Sequence, residues 1–157
     1  DTLWSKRYDV HGEYEECDGL VIEDTAMFVS GWTREAQADW FDVLVMKLDL
    51  QGNIIWQTTW DEGLDKDERQ DGHIVVDESH IYMTGVSQAV PNGITALSGL
   101  DGQATIWKFD RNGNYVNHDS WGTEEIWIDG DDALGMTSDG TFLYAVGYVW
   151  SASDNTN

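Results

Sequence analysis

Apolar and polar residues alternate along two stretches of the chain that share the same turn. Residues 42–61 read DVLVMKLDLQGNIIWQTTWD, and residues 103–122 read QATIWKFDRNGNYVNHDSWG. In each, an alternating run reaches an Asp-x-x-Gly-Asn turn and leaves as a second alternating run, which is typical of a β-hairpin. Gly52 and Gly113 can supply the positive φ of a tight turn, and the side chains of Asp49 and Asp110 can accept backbone N–H groups. The pattern therefore predicts two hairpins.

The two hairpins belong to a longer repeat. Equivalent hairpin positions, such as Trp60 and Trp121, lie 61 residues apart. Two further columns recur along the chain, Asp18, Asp71 and Asp132 in the first and Gly31, Gly85 and Gly147 in the second. A period of about 50 to 60 residues then holds four strands. We predict strands near 18–24, 26–33, 42–49 and 53–60, and again near 71–77, 80–87, 103–110 and 114–121.

Four-stranded units at this period, with a glycine ending the second strand and an aromatic residue in the fourth, are typical of β-propeller blades. A single proline and sixteen glycines also favour an all-β chain. We therefore predict one partial β-propeller over residues 1–157, with two complete and two partial blades of four antiparallel strands. Its units lie near 1–9 (the last strand of a preceding blade), 18–60, 71–121 and 132–157 (incomplete).

The repeat also resembles a known family. The segments LDLQGNIIWQTTW and DGHIVVDESHIYMTG are similar to the SBBP repeat, the seven-bladed β-propeller repeat of secreted and cell-surface proteins of bacteria and archaea. Residues 3–31 and 55–85 carry the match well, and residues 117–147 carry it weakly, with Asn117 in place of tryptophan and Ser138 in place of the turn aspartate. The resemblance implies a propeller and an extracellular or cell-surface location, and it names no chemistry.

The number of blades raises a question of completeness. Propellers close with about four to eight blades, whereas the repeat predicts two full and two partial ones. An open array leaves unpaired strand edges that promote aggregation. We therefore expect the 157 residues to be part of a larger propeller, or the terminal blades to be completed by another chain.

The charge excludes some partners. Thirty acidic residues against eight basic ones give a formal charge of −22, which repels nucleic-acid phosphates and anionic lipid. The longest apolar runs are far shorter than the roughly 18 residues of a transmembrane helix, so we expect no membrane span. An acidic excess of this size fits high salt, a cation-rich cell surface or calcium binding, and counting does not separate these. The single cysteine, Cys17, is predicted to be a small buried side chain.

Acidic connectors are candidate calcium sites, because calcium prefers six to eight oxygen ligands on a carboxylate-rich turn. Connectors from the fourth strand of one blade to the first strand of the next, and loops from the second strand to the third, should emerge on one face. The acids of the connectors should form a carboxylate arc there: Glu13, Glu15, Glu16, Asp61, Glu62, Asp65, Asp67, Glu68, Asp129, Asp131 and Asp132. A solvated acidic surface is the alternative. The candidate metal ligands are Asp65, Asp67, Asp71, Asp129, Asp131 and Asp132.

Tryptophans on the same face are candidate ligand-binding residues. Exposed tryptophan beside carboxylates suits sugar stacking or protein contact, and the alternative is that these rings cap the rim of the core. The candidates are Trp32, Trp40, Trp127 and Trp150, whereas Trp4, Trp56, Trp60, Trp107 and Trp121 recur at strand positions and are predicted to pack between blades.

No catalytic motif stands out, since the four histidines share no metal-ligand spacing and no serine lies in a nucleophile elbow. We therefore expect a non-enzymatic extracellular or cell-surface module that binds or scaffolds a protein or polysaccharide through its acidic, tryptophan-bearing face. One alternative is a polysaccharide hydrolase or lyase that uses a carboxylate pair in the connectors. Another is a structural subunit of a surface layer or filament.

Overall fold

The computed structural model describes residues 4–10, 12–35, 41–63, 68–70, 72–88, 102–121 and 132–148. This part of the chain is all-β, as predicted, and contains no helix. Its strands form three antiparallel sheets, none of which closes on itself within these residues. The eleven strands are β1 (Gly12–Glu23), β2 (Ala26–Glu35), β3 (Asp42–Asp49), β4 (Ile54–Trp60), β5 (Glu68–Arg69), β6 (Ile74–Val76), β7 (His80–Gln88), β8 (Gly102–Asp110), β9 (Tyr115–Trp121), β10 (Asp132–Ser138) and β11 (Leu143–Tyr148).

The first sheet is a meander in the order β1-β2-β3-β4. Its centre is β3, whose residues 43–46 and Leu48 are buried on both faces. The β3–β4 hairpin turns at Asp49, as predicted, and Gly52 has a φ of +76°. The backbone N–H of Gly52 donates to the carbonyl of Asp49 over 2.9 Å. Because side chains alternate between faces, this strand can serve two hydrophobic clusters at once.

The second sheet repeats this order, except that its first strand is interrupted. Both β5 and β6 pair with β7, which is followed by β8 and β9. The interruption falls between the end of β5 and the start of β6, where the N–H of His73 donates to the hydroxyl of Thr84 over 3.1 Å. The sequence predicted one strand over residues 71–77. The structure instead starts earlier and divides it, at the same place where β1 has a bulge between Cys17 and Gly19.

The third sheet consists of β10 and β11 within the described residues. Its register corrects the predicted aspartate column. Asp132 pairs with Tyr148, one residue beyond Gly147, just as Glu16 pairs with Trp32 and Arg69 with Val86. Asp132 is therefore equivalent to Glu16 and Arg69, and Leu134 takes the position of Asp18. Equivalent positions in the three sheets are therefore marked by the glycines at the bulge and not by the aspartates.

The predicted glycine column marks a close approach between two strands. A Cβ atom on Gly31 would overlap the carbonyl oxygen of Glu16 on β1. One on Gly85 would overlap the carbonyl of Arg69, and one on Gly147 that of Asp132. All three sheets thus need glycine where the second strand passes the bulge of the first, because any side chain would displace backbone.

Two hydrophobic clusters hold the sheets together. The larger cluster lies between the first and second sheets and includes Phe28, Val45, Met83, Trp107 and Phe109. The smaller lies on the opposite face of the first sheet and is covered by Tyr8 and Val10 of the N-terminal segment 4–10. This segment was predicted to act as a fourth strand. It has no strand conformation in the structure, although it covers the sheet where such a strand would lie.

Candidate carboxylate site

Each sheet has two different ends. The turn end holds the short turns between β1 and β2, β3 and β4, β6 and β7, and β8 and β9. At the connector end β1, β3 and β5 begin and β2 and β4 finish. Three carboxylates meet at the connector end between the first and second sheets. One oxygen from each of Asp42, Asp61 and Glu68 lies within 4.8 Å of the others.

The strand register places the first two acids side by side. Asp42 is the first residue of β3, and the next residue, Val43, pairs with Trp60 at the end of β4. Asp61 follows Trp60 directly and therefore stands opposite Asp42. Its carboxylate accepts the backbone N–H of Gly63 over 2.5 Å, an interaction that holds the start of the connector.

Glu68 comes from the second sheet. Its backbone N–H donates to the carbonyl of Phe41 over 2.8 Å, which ties the start of β5 to the entrance of β3. Because Glu68 pairs with Ser87 on β7, it lies on the face of the second sheet that packs against the first. The side chain is fully buried, Asp42 is half-buried and Asp61 is exposed. The site is therefore open on one side and closed on the other.

Three carboxylates this close repel one another, and burial adds to the cost of their charge. Positive charge lies near, since the guanidinium groups of Arg34 and Arg69 sit 5.3 and 4.5 Å from the ring centroid of Phe41. The same acids could hold a bound cation, because carboxylate oxygens are the ligands that calcium prefers.

Thr33 adds a hydroxyl beside the acids. It pairs with Asp42 across β2 and β3, so the two side chains lie on the same face of the first sheet. Thr33 is fully buried, and its Oγ1 has no hydrogen-bond partner among the described residues. Oxygen-bearing side chains therefore run in a row from Thr33 through Asp42 to Asp61, and Glu68 joins them from the neighbouring sheet.

Only one of the six predicted metal ligands lies within the described residues. Asp132 begins β10 and is 8% exposed. The remaining five, Asp65, Asp67, Asp71, Asp129 and Asp131, lie outside the described residues. Two members of the observed cluster, Asp61 and Glu68, belong to the acidic arc that the sequence predicted, and Asp42 was missed. Counting back from the Asp49–Asn53 turn puts Asp42 opposite Trp60, and the register shift between Lys47 and Leu48 then brings Asp42 opposite Asp61. Alternation alone does not reveal this shift.

Among the predicted ligand-binding tryptophans, Trp32 is described, and it is buried. It is 8% exposed because it lies on the face of β2 that packs against the second sheet. Tyr14 stacks on it with ring centroids 5.2 Å apart, and Phe41 meets its edge at 4.4 Å. The exposed ring here is that of Tyr14, at 50%. Trp40, Trp127 and Trp150 lie outside the described residues.

Other residues singled out by the sequence take these positions. Trp107 is fully buried and meets Trp60 edge to face at 6.3 Å, in line with packing between sheets, whereas Trp121 is 41% exposed. Cys17 is exposed and not buried as predicted, because β1 is an edge strand of the first sheet.

Comparison with protein-family models finds no match, and the search of curated proteins finds no similar sequence. In the described part of the chain, no helix has the length and apolar character needed to cross a membrane.

Proposed function

We propose that this chain is part of a β-propeller of the SBBP type and acts as a non-enzymatic binding or scaffolding module, outside the cell or at its surface. Its ligand, a protein or a polysaccharide, binds at the connector end. The propeller part rests on how the sheets follow one another, and the binding part rests on the carboxylate site.

Successive layers repeat the same contact. The ring of Trp4 lies over Gly52 in the hairpin turn of the first sheet, where a Cβ would come within 2.9 Å of its Cη2 atom. The ring of Trp56 on β4 lies over Gly113 in the equivalent turn of the second sheet, at 2.8 Å from its Cε3 atom. The N-terminal segment therefore occupies the same position relative to the first sheet as β4 does relative to the second sheet. A constant step between layers is what a propeller requires.

The first strands of the three sheets also lie together. Residues from the ends of β1, β6 and β10 line one groove of about 680 Å³, with Val21, Ile74 and Thr137 among them. Strands that come first in a blade line the central channel of a propeller. The groove supports the assignment of these strands to the inner side of such a ring.

Among the described residues, nothing covers one face of the third sheet. Tyr144, Val146 and Tyr148 occupy the positions of Phe28, Ser30 and Trp32, counted from the glycine of each second strand. In the first sheet these positions are buried under the second sheet, whereas Val146 is 71% exposed. A further sheet would cover this face in a complete ring.

The observation that carries the binding assignment is the meeting of Asp42, Asp61 and Glu68 at the connector end. The aromatic contacts of Phe41 and Trp32 connect this site to the exposed ring of Tyr14. An exposed aromatic ring beside carboxylates can stack on a sugar and accept its hydroxyl groups, or pair with a basic side chain.

Calorimetric titration with neutral cello- and xylo-oligosaccharides and with a basic peptide tests this function. We expect one of these probes to bind and to be recovered unchanged, with binding lost in Tyr14→Ala. Phe142→Ala removes an exposed ring at the turn end, so this control should bind normally. Cleavage of the probe, absence of binding, or equal loss in both variants would contradict the proposal.

A second candidate function is assembly with further chains, and the uncovered face of the third sheet favours it. A partner could supply the strands that cover Tyr144, Val146 and Tyr148. Size-exclusion chromatography with light scattering should then show a mass that rises with concentration, and Val146→Lys should abolish the rise. A concentration-independent monomer would rule this function out.

A further inference from the structure

The carboxylate site has the chemistry of a cation site that joins two sheets. We infer that Asp42, Asp61 and Glu68, together with the hydroxyl of Thr33, bind a divalent cation of the calcium type. None of the three acids is among the ligands that the sequence predicted. The site needs only the described residues, so it would exist whether or not the connector end binds a polysaccharide or protein.

The three acids bring enough oxygens together to bind one calcium ion. Calcium takes six to eight oxygens at about 2.3–2.6 Å, so ligands on opposite sides of the ion lie roughly 5 Å apart. The three carboxylates place oxygens within 4.8 Å of one another. Magnesium demands near-ideal octahedral geometry at about 2.1 Å and usually keeps several waters, so it is bound by fewer protein carboxylates. Three carboxylates, each able to bind through one or both oxygens, supply most of a calcium shell before water is added.

The buried hydroxyl of Thr33 is the second observation that points to a ligand. A buried polar atom without a hydrogen bond costs free energy, and native structures rarely leave one so. Thr33 Oγ1 is in this state among the described residues, and its side chain shares a face with Asp42. A cation held by Asp42 would bring a ligand shell, including its waters, within reach of this hydroxyl.

The neighbouring arginines are the rival source of positive charge. Arg34 and Arg69 lie against the ring of Phe41, whose carbonyl binds the backbone of Glu68. If the guanidinium groups neutralise the acids, the site has no need of a metal. The experiment below separates the two arrangements, because only a metal site responds to calcium at constant ionic strength.

A bound ion would fasten the first sheet to the second. Asp42 and Asp61 belong to β3 and to the end of β4, and Glu68 begins β5. A ligand that binds only the folded state raises its stability in proportion to the logarithm of its concentration above the Kd. Calcium should therefore raise the unfolding temperature through this one junction.

The test is thermal unfolding with calcium, magnesium or EDTA at equal ionic strength, joined by calorimetric titration with calcium chloride. Glu68→Gln and Asp61→Asn remove one charge each at nearly constant size, and Asp61 is exposed, so its variant should fold even if the first does not. Glu78→Gln, at the exposed turn end, is the matched control. Trp60 and Trp32 also allow terbium, a calcium analogue, to be followed by sensitised luminescence.

We expect calcium to raise the unfolding temperature of the natural chain and of Glu78→Gln, and magnesium to do so less. In Glu68→Gln and Asp61→Asn the increase should vanish together with one saturable calcium site. Thr33→Val should weaken calcium binding about tenfold without removing the site. The inference is wrong if calcium leaves the natural chain unchanged, if molar sodium chloride has the same effect as calcium, or if Asp61→Asn keeps the full calcium response.

Discussion

The β3–β4 turn of the first sheet and the β8–β9 turn of the second are nearly identical, whereas the connector ends of the two sheets differ. At the turn of the first sheet, Asp49 Oδ1 accepts the N–H of Asn53 over 2.8 Å, and Asn53 Nδ2 donates to Asp49 Oδ2 over 2.7 Å. At the second turn the same two bonds join Asp110 and Asn114 over 2.9 and 2.8 Å. The same residue types, making the same hydrogen bonds, build both turns.

At the connector end, equivalent positions hold different residues. Thr33 and Asp42 form a pair in the first sheet, and the same pair in the second sheet is Ser87 and Gln103. The second sheet therefore lacks a carboxylate at the position of Asp42. The repeat therefore maintains the hairpin turns at Asp49 and Asp110 and the packing, whereas the connector end is free to specialise. The carboxylate site belongs to one junction only among the described residues.

The largest expected effect comes from disrupting the close approach of the second strand to the first, which all three sheets share. Gly85→Ala would place a Cβ against the carbonyl of Arg69, and we expect a loss of about 3 kcal/mol in the free energy of unfolding because backbone has to move. Gly63→Ala is the control, since a Cβ there meets nothing within 4 Å and only the positive φ of 83° is strained, at about 1–2 kcal/mol. Urea unfolding measures both, and equal losses would show that the close approach is unimportant.

Much of the fold could be predicted because it depends on local rules. The alternation around Asp49 and Asp110 fixed the hairpins, and the glycine column fixed where the second strand passes the first. The division of β5 from β6 could not be predicted, because a bulge depends on hydrogen bonds such as that from His73 to Thr84, which alternation does not encode. The predicted alignment of Asp132 with Asp18 and Asp71 was wrong for the same reason.

A smaller effect on the free energy of unfolding is expected from the contact between a tryptophan ring and a turn glycine, which occurs twice with different burial of the ring. Trp56→Leu should uncover Gly113 and lower the free energy of unfolding by about 2 kcal/mol, since the ring packs between two sheets. Trp4 makes the same contact with Gly52 but is 41% exposed, so Trp4→Leu should cost about 1 kcal/mol. Chemical denaturation of both variants checks the order. If Trp4→Leu proved as costly as Trp56→Leu, the N-terminal segment would be a full structural layer.

The candidate site was harder to predict than the fold, since it lies where two sheets meet. The sequence identified the acidic connector with Asp61 and Glu68, because charge is visible in composition. Asp42 stands apart from that connector by nineteen positions and joins it only through the β3–β4 register. The burial of Trp32 followed from which face of β2 meets the second sheet, and a strand pattern buried on both faces does not reveal that.

The smallest expected effect concerns the two matching turns and depends on pH. Hydrogen bonds from the backbone and then the side chain of Asn53 hold the pKa of Asp49 below its ordinary value of 3.8, and those of Asn114, side chain first, do the same for Asp110. A carboxylate whose pKa falls on folding stabilises the native state above the ordinary value, and this contribution disappears as the pH drops through the lowered pKa.

Asp49→Asn and Asp110→Asn should therefore lower the urea midpoint slightly at neutral pH, and by similar amounts, because the two turns share their bonds. The difference from the natural chain should narrow as the pH falls below 3.8. Urea titrations at several pH values between neutral and strongly acidic measure this. A difference that stays constant with pH would mean that the charge of these aspartates contributes nothing, and that the turns depend on geometry alone. Unequal losses at neutral pH would instead show that the two hairpin turns are equivalent in their hydrogen-bond distances but not in their contribution to stability.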